Sequence, residues 1–314
     1  MNNKPSIAID LGGTKIKTGL VQNGEVLSSF SIDSNNEKGL RAKLPELEEG
    51  IKKLLQQHGL TTADVAGLGM ATPGVVDCVE KRILSIDKKF GDAPGIDLVS
   101  WCNDALHLKL TLENDARSAL VGEWQFGAAK GYDNVVLMTL GTGVGSSAVM
   151  EGKLLRGKHF LGGILGGHTV INYKGSLCNC GNIGCVETEA STWCIEKKVR
   201  AHADFAKSSL SKEAVIDYAT IFRCATEADA LALEMRNDSM DVWSAAAINL
   251  IHAYDPEILV LSGGIMASGG QIIPHLQNKI NKHAWTPWGK VKIEAAAFIN
   301  SAALLGVAHL VSNE

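Results

Sequence analysis

The sequence predicts an α/β protein made of two related domains with a cleft between them, and three observations carry that expectation. A short glycine motif occurs twice. Asp10-Leu11-Gly12-Gly13-Thr14 and Thr139-Leu140-Gly141-Thr142-Gly143 each follow a β-branched and aliphatic run and lead into a second strand-like stretch. Both second stretches then turn tightly, at Asn23-Gly24 and at Glu151-Gly152; an Asn-Gly pair between alternating apolar residues is a strong hairpin signal. Strand and helix patterns also alternate along the rest of the chain. With 314 residues, 46% hydrophobic and 20% charged, there is material for two cores.

Taken in order, the N-terminal segment reads as three strands, about 5–11, 15–21 and 25–32. An amphipathic helix follows near 39–58, with Leu40, Leu44, Leu47, Ile51, Leu54 and Leu55 along one face. Next come a strand near 65–70, a helix at 96–108, a short strand ending at Glu113-Asn114-Asp115, and a helix from 116 to about 126. Strands resume at 134–140 and 145–150. A stretch rich in glycine and cysteine covers 157–187, and helices fill most of 188–254. After Asp255-Pro256 a buried strand, 258–261, stops at Gly263-Gly264. A last helix over 300–311, rich in Ala and Leu, is expected to return to the first domain. The expected division is therefore 1–118 plus 300–314 against 119–299.

Composition excludes several classes. No apolar run reaches the roughly 18–20 residues that cross a bilayer, and the N-terminus enters a strand too early for a signal peptide, so a cytoplasmic protein is expected. A formal charge of −4 offers no footprint for nucleic acid. Of seven cysteines, Cys178, Cys180 and Cys185 crowd together while the others are scattered, which in a reducing compartment favours metal binding over disulfides.

The paired glycine loops are suited to phosphate, because glycines let backbone N–H groups approach an anion with no Cβ in the way. They match neither common fingerprint. In Gly141-x-Gly143-x-Gly145 the third glycine comes one residue too early for a dinucleotide motif, and a strand follows in place of a helix; no Gly-Lys-Ser/Thr closes any run as a P-loop would. Asp10, ending the first strand, is either a turn residue or a carboxylate that holds magnesium through water. Asn114-Asp115 sits where a strand meets a helix, where α/β sheets bind ligands. Capping explains it; so does a base, Asp115, that accepts the proton of an attacking hydroxyl oriented by Asn114. His168, Cys178, Cys180 and Cys185, spaced His-x9-Cys-x-Cys-x4-Cys, supply three thiolates and an imidazole. That set closes a tetrahedral zinc shell with no open position, a structural site, and it would hold Glu187 in a fixed place.

Over nearly its whole length the chain resembles the ROK family of repressors, open reading frames and sugar kinases. The resemblance rests on Asp10-Leu11-Gly12-Gly13-Thr14-Lys15, Thr72-Pro73-Gly74, Glu113-Asn114-Asp115-Ala116, Gly141-Thr142-Gly143-Val144-Gly145, the His168 and cysteine cluster running into Gly184-Cys185-Val186-Glu187, and Pro256-Glu257 leading to Gly263-Gly264. It implies the actin-like ATPase fold of sugar kinases, Hsp70 and actin, with duplicated ribonuclease H-like domains around a central cleft. It implies ATP-dependent phosphorylation of a hexose, commonly at the 6-hydroxyl as in glucokinases, with Asp115 as base and Asn114 on the sugar. By the same analogy Gly12, Gly13, Thr14, Lys15, Gly141, Thr142 and Gly143 contact phosphates beside Asp10 and Mg2+, and adenosine packs at Gly263 and Gly264. Gly74, His168 and Glu187 touch sugar hydroxyls, zinc is structural, and the protein is a homodimer.

Two departures bear on the sugar. Kinases of this family usually read Glu-Ile-Gly-His or Glu-Leu-Gly-His, whereas here Leu165-Gly166-Gly167 precedes His168. An apolar group cannot pair a ring hydroxyl, and leaving one buried and unpaired costs roughly 1–3 kcal/mol. Lys88-Lys89-Phe90 stands near where relatives often carry an Asn beside the sugar. Together these point to a substituted or acidic sugar, or to weak catalysis. Repressors of the family place a winged helix-turn-helix before the first glycine motif, and with nine residues before Asp10 direct DNA binding is not expected. The alternative to a kinase is accordingly a catalytically weak sugar-binding sensor or regulator.

Overall fold

The computed structural model describes residues 4–87 and 89–313. The chain forms two compact units, one comprising Met1–Gly131, Arg156–Gly162 and Asn300–Glu314, the other Tyr132–Leu155 and Gly163–Ile299.

The first unit is built on a five-stranded sheet. Strands β1 (Ser6–Leu11), β2 (Lys15–Gln22) and β3 (Glu25–Asp33) form an antiparallel meander. On the other side of β1, β4 (Leu68–Thr72) and then the fifth strand (Leu110–Asn114) run parallel to it, and a two-stranded hairpin, Val75–Asp77 and Arg82–Ser85, intervenes in sequence. In chain order the hairpin strands are β5 and β6, and the fifth sheet strand is β7. The burial of β4 and β7 throughout, and of β1 at every position but Asp10, reflects cover on both faces, as parallel strands require. Helix α1 (Leu44–Gln57) buries Leu44, Leu47, Ile51, Leu54 and Leu55 at the i, i+3, i+4 spacing read from the sequence. Helices α2 (Leu98–Leu106) and α3 (Asp115–Phe126) flank β7. The C-terminal helix, Ala302–Ser312, packs on α3 backbone to backbone, since a Cβ on Gly306 would strike the Ser118 carbonyl and one on Gly122 the Ala302 carbonyl.

The second unit repeats the plan. Strands β8 (Val135–Leu140), β9 (Val144–Met150) and β10 (Lys153–Leu154) are antiparallel, while β11 (Ile258–Ser262) and β12 (Lys292–Ala295) extend β8 in parallel. The order β10-β9-β8-β11-β12 matches β3-β2-β1-β4-β7 strand for strand, so the repeated glycine motif marks a repeated fold. Helices α4 (Val186–Glu189), α5 (Thr192–Arg200), α6 (Tyr218–Thr226), α7 (Ala230–Tyr254) and α8 (Gly269–His283) supply the core around the fully buried Trp243, whose Nε1 donates to the Ala190 carbonyl at 2.8 Å.

Three differences from the sequence reading stand out. The division expected after residue 118 falls inside α3, and the chain stays with the first unit to Gly131 because an unbroken helix cannot change cores midway. The segment Arg156–Gly162, expected in the second domain, belongs to the first. Helix α8, strand β12 and the β5–β6 hairpin are additional; Pro274 inside α8 and the shortness of these strands mask their periodicity. Among the described residues no helix is long and apolar enough to cross a membrane.

Candidate active site

In the first unit, register brings the motifs to one edge. Asp10 lies opposite Ala71, Ala71 opposite Glu113, and Thr72 opposite Asn114, so the carboxyl ends of β1, β4 and β7 carry Asp10, Thr72-Pro73-Gly74 and Asn114-Asp115 together. This is the edge at which α/β sheets take ligands. The first glycine loop leaves β1 there: the Gly12 N–H turns back to the Asp10 carbonyl at 3.0 Å, and the Gly13 carbonyl accepts from Ser34 Oγ at 2.5 Å and Asn36 Nδ2 at 2.6 Å. Thr14 ends the loop, its carbonyl accepting from Ser34 N–H at 3.0 Å. Lys15 turns away into an ion pair with Asp33 at 2.6 Å.

Asn114 is the N-cap of α3, its Oδ1 accepting from Arg117 N–H at 3.1 Å. Its amide group donates to the Gly74 carbonyl at 3.0 Å and to Asp115 Oδ1 at 3.1 Å. Asp115 Oδ1 also accepts from Ala116 N–H at 2.8 Å, so the carboxylate is held at a helix N-terminus. Capping and orientation of Asp115 are therefore one arrangement. Burial raises the pKa of Asp115 against these donors and against Lys89. Asp10 is pushed up to about 6, first by burial and then by repulsion from Asp115, with Lys17 opposing. A buried carboxyl whose ionisation is further opposed by a neighbouring carboxylate is poised for a divalent cation or a proton.

Behind this edge lies a network not anticipated from the sequence. Glu113 and Arg117 are completely buried. Glu113 Oε1 accepts from the Asn114 N–H at 2.9 Å and pairs with Arg117 Nη1 at 3.4 Å, and its Oε2 accepts from Arg156 Nε at 2.7 Å. Arg117 Nη2 donates to the carbonyls of Arg156, Phe160 and Gly162 at 3.2, 2.8 and 2.8 Å. The excursion Arg156–Gly162 is thus nailed to the first unit by charge, and the same carboxylate fixes the backbone ahead of Asp115. The Glu113-x3-Arg117 spacing was the available signal, but it reads equally as a surface ion pair.

In the second unit the other glycine loop is pinned from two sides. The carbonyls of Gly141 and Thr142 accept from Thr192 and Trp193 N–H at the start of α5, at 3.1 and 3.2 Å. Glu187 Oε2 accepts from the Val144 N–H at 3.0 Å, and its Oε1 from Trp193 Nε1 at 3.2 Å. A Cβ on Gly143 would run into that carboxylate, so this position has to be glycine for Glu187 to sit where it does. Gly263, at φ 97°, turns the chain out of β11, and the space around Gly264 is open.

His168, Cys178, Cys180 and Cys185 converge, one ligand atom from each lying within 4.8 Å of the others. Cys180 and Cys185 Sγ are 3.7 Å apart, and Cys178 Sγ is 3.6 Å from His168 Nδ1. A tetrahedral zinc with bonds of about 2.3 Å to sulfur and 2.0–2.1 Å to nitrogen requires edges of roughly 3.5–3.8 Å, so the donors fit the ion. Leu165, at the turn before His168, is 42% exposed, presenting methyl groups where a carboxylate was expected. Lys88 lies outside the described residues. Lys89 lies across Gly13, and Phe90 is buried in the core.

A model of the ROK family matches residues 6–314. The glucokinase of Thermotoga maritima is 30% identical over 312 residues, 97% of this chain and 96% of that one. The xylose repressor of Bacillus spizizenii is 25% identical over 98% of this chain and 76% of its own. Among solved structures, a ROK family glucokinase from Streptomyces griseus in complex with glucose and AMPPNP superposes with a TM-score of 0.80 at 25% identity, covering 99% of this chain and all of that one. The fold is thus that of the ROK sugar kinases, the actin-like ATPase fold.

Proposed function

Because the chain belongs to the ROK family, we propose that it is an ATP-dependent sugar kinase, transferring the γ-phosphoryl group of ATP to a sugar hydroxyl, O6 of glucose or of a related or substituted hexose. The observation that carries this reading is the placement of Asp115: a carboxylate of raised pKa, fixed at a helix N-terminus beside Asp10 and the first glycine loop. In this reading Asp115 takes the hydroxyl proton as the oxygen attacks phosphorus, and Asn114 holds Asp115 and meets the sugar. Gly74, through its backbone, completes that side.

Gly12, Gly13, Thr14, Gly141, Thr142 and Gly143 offer backbone to the phosphates, and Gly263 and Gly264 leave room for adenosine; Lys15 joins them only by leaving Asp33. Asp10 would hold magnesium, which when bound neutralises phosphate charge. His168, Cys178, Cys180 and Cys185 would hold zinc as a brace for their loop. With Nδ1 turned to the thiols, His168 keeps Nε2 for a sugar hydroxyl. Glu187, already aligned by two N–H donors, meets another hydroxyl. The same reading makes the protein a cytoplasmic homodimer, which light scattering on the purified chain tests.

Leu165 favours an acceptor other than plain glucose. It also supports a second reading, a sugar-binding regulator without turnover, to which the similarity with xylose repressors adds weight. An ATP-consumption screen over hexoses, N-acyl hexosamines and sugar acids separates the two, and Asp115→Asn should lower kcat by about 10²–10⁴-fold. Turnover unaffected by Asp115→Asn would remove Asp115 from the role of base.

A further inference from the structure

We propose that Lys89 is a catalytic cation of the transfer step, its ammonium balancing the charge of the phosphoryl group as that group passes from ATP to the sugar oxygen. This rests on the kinase reading above. The end of the Lys89 side chain lies on the first glycine loop: a Cβ at Gly13 would be 2.7 Å from Nζ, 2.8 Å from Cε and 3.1 Å from Cδ. Glycine at 13 is what lets the lysine lie there.

The placement is built into the unit. Asn36 donates to the Gly13 carbonyl through Nδ2 at 2.6 Å and accepts the Phe90 N–H on its own carbonyl at 3.1 Å, tying the glycine loop to the segment that carries Lys89. Phe90 anchors that segment by full burial. Of the two lysines at this loop, Lys15 is committed to Asp33. No carboxylate among the described residues forms an ion pair with Lys89, which is half-buried. Its charge also reaches Asp115, acting against the burial that raises that carboxyl's pKa. A cation near both the phosphate-facing loop and the base stands where negative charge accumulates during transfer. No Gly-Lys-Ser/Thr motif supplies one.

In the step, the sugar oxygen bonds to the γ-phosphorus and the bond from that phosphorus to the β,γ-bridging oxygen breaks. The electron pair leaves on ADP and the hydroxyl proton goes to Asp115. Lys89 contributes charge and gives up no proton.

The test compares the full-length wild type with Lys89→Met and Lys89→Arg, using the acceptor that performs best in the sugar screen and, separately, calorimetry with Mg-ADP with and without aluminium fluoride. Lys89→Met is expected to lower kcat about 10²-fold or more with KM for the sugar within about threefold. It should also lose most of the preference for ADP–aluminium fluoride over ADP. Lys89→Arg should recover at least a tenth of the wild-type kcat. A Lys89→Met enzyme with unchanged kcat and a raised KM, for all sugars or for acidic ones alone, overturns the proposal and makes Lys89 an acceptor-binding residue. Failure of the kinase reading is seen separately, in a wild type that phosphorylates no sugar. In that event equal ADP–aluminium fluoride affinity in wild type and Lys89→Met overturns the role of Lys89 as well.

Discussion

Replacing Arg117 by Met tests whether the buried charge network holds the first unit together. Met matches the length of the arginine stem and fills similar space, so the change isolates the guanidinium. The carbonyls of Phe160 and Gly162 lose the donor that Arg117 gives them, that of Arg156 keeps only the Gly162 N–H, and Glu113 loses one of its two cationic partners while remaining fully buried. Removing one member of a buried ion pair costs about 3–5 kcal/mol, much of it the penalty of the charge left behind. At about 2–4 °C per kcal/mol for a domain of roughly 150–250 residues, the melting temperature of the first unit should fall by on the order of 10 °C. Because Glu113 also accepts the Asn114 N–H, kcat should fall with it. Arg117→Lys should rescue little, since a single ammonium cannot reproduce a fork that meets a carboxylate and three carbonyls. The measurement is scanning calorimetry of both variants at neutral pH with kinetics on the same samples. A melting temperature of Arg117→Met within 2 °C of wild type would refute the reasoning.

Asp10→Asn should abolish turnover yet stabilise the ligand-free protein at pH 7–8. Asp10 keeps its proton to about pH 6 in the folded chain against a usual 3.8, so its contribution is fully present below pH 4 and is lost as pH rises through 6. The gain at pH 8 should be about 1–3 kcal/mol, taking roughly 1.4 kcal/mol per pKa unit and discounting for partial solvent contact. Thermal melts from pH 4 to 8 should show the two proteins converging at the acid end, and a destabilised variant at pH 8 would contradict this. Metal analysis should find one zinc per chain, and Cys178→Ser or exhaustive chelation should lower the melting temperature and weaken sugar binding through His168; zinc-free protein with full activity would count against the brace. Gly143→Ala should displace the Glu187 carboxylate and lower kcat/KM by about 10–100-fold, as loss of one aligned hydrogen bond to substrate implies. A crystal structure of that variant with Glu187 unmoved would disprove the contact.

The sequence by itself determined most of the elements and their duplication, though not α8, β12 or the β5–β6 hairpin, because period-2 and period-3.6 apolar patterns and Gly turns are local properties of the chain. The β1–β2 and β8–β9 pairs, α1, α3 and the C-terminal helix are legible in this way, and the clustering of His168 with three cysteines follows from spacing alone. Asn114-Asp115 and the glycine loops could be singled out as well, though capping and chemistry explain those residues equally well until β4 and β7 are set beside β1. Only the tertiary structure decided that Asp10, Gly74 and Asp115 share an edge, since parallel pairing joins residues far apart in sequence. It also decided the fate of the charges. Lys15 and Lys89 look alike along the chain, but one pairs with Asp33 and the other lies across Gly13. Arg117 reads as a solvated helix residue and proves to be buried, holding Arg156–Gly162 to a unit that the chain had already left. The physical reason is range: backbone propensity acts over a few residues, whereas the free energy of a buried charge depends on which distant carbonyls and carboxylates the fold brings to meet it.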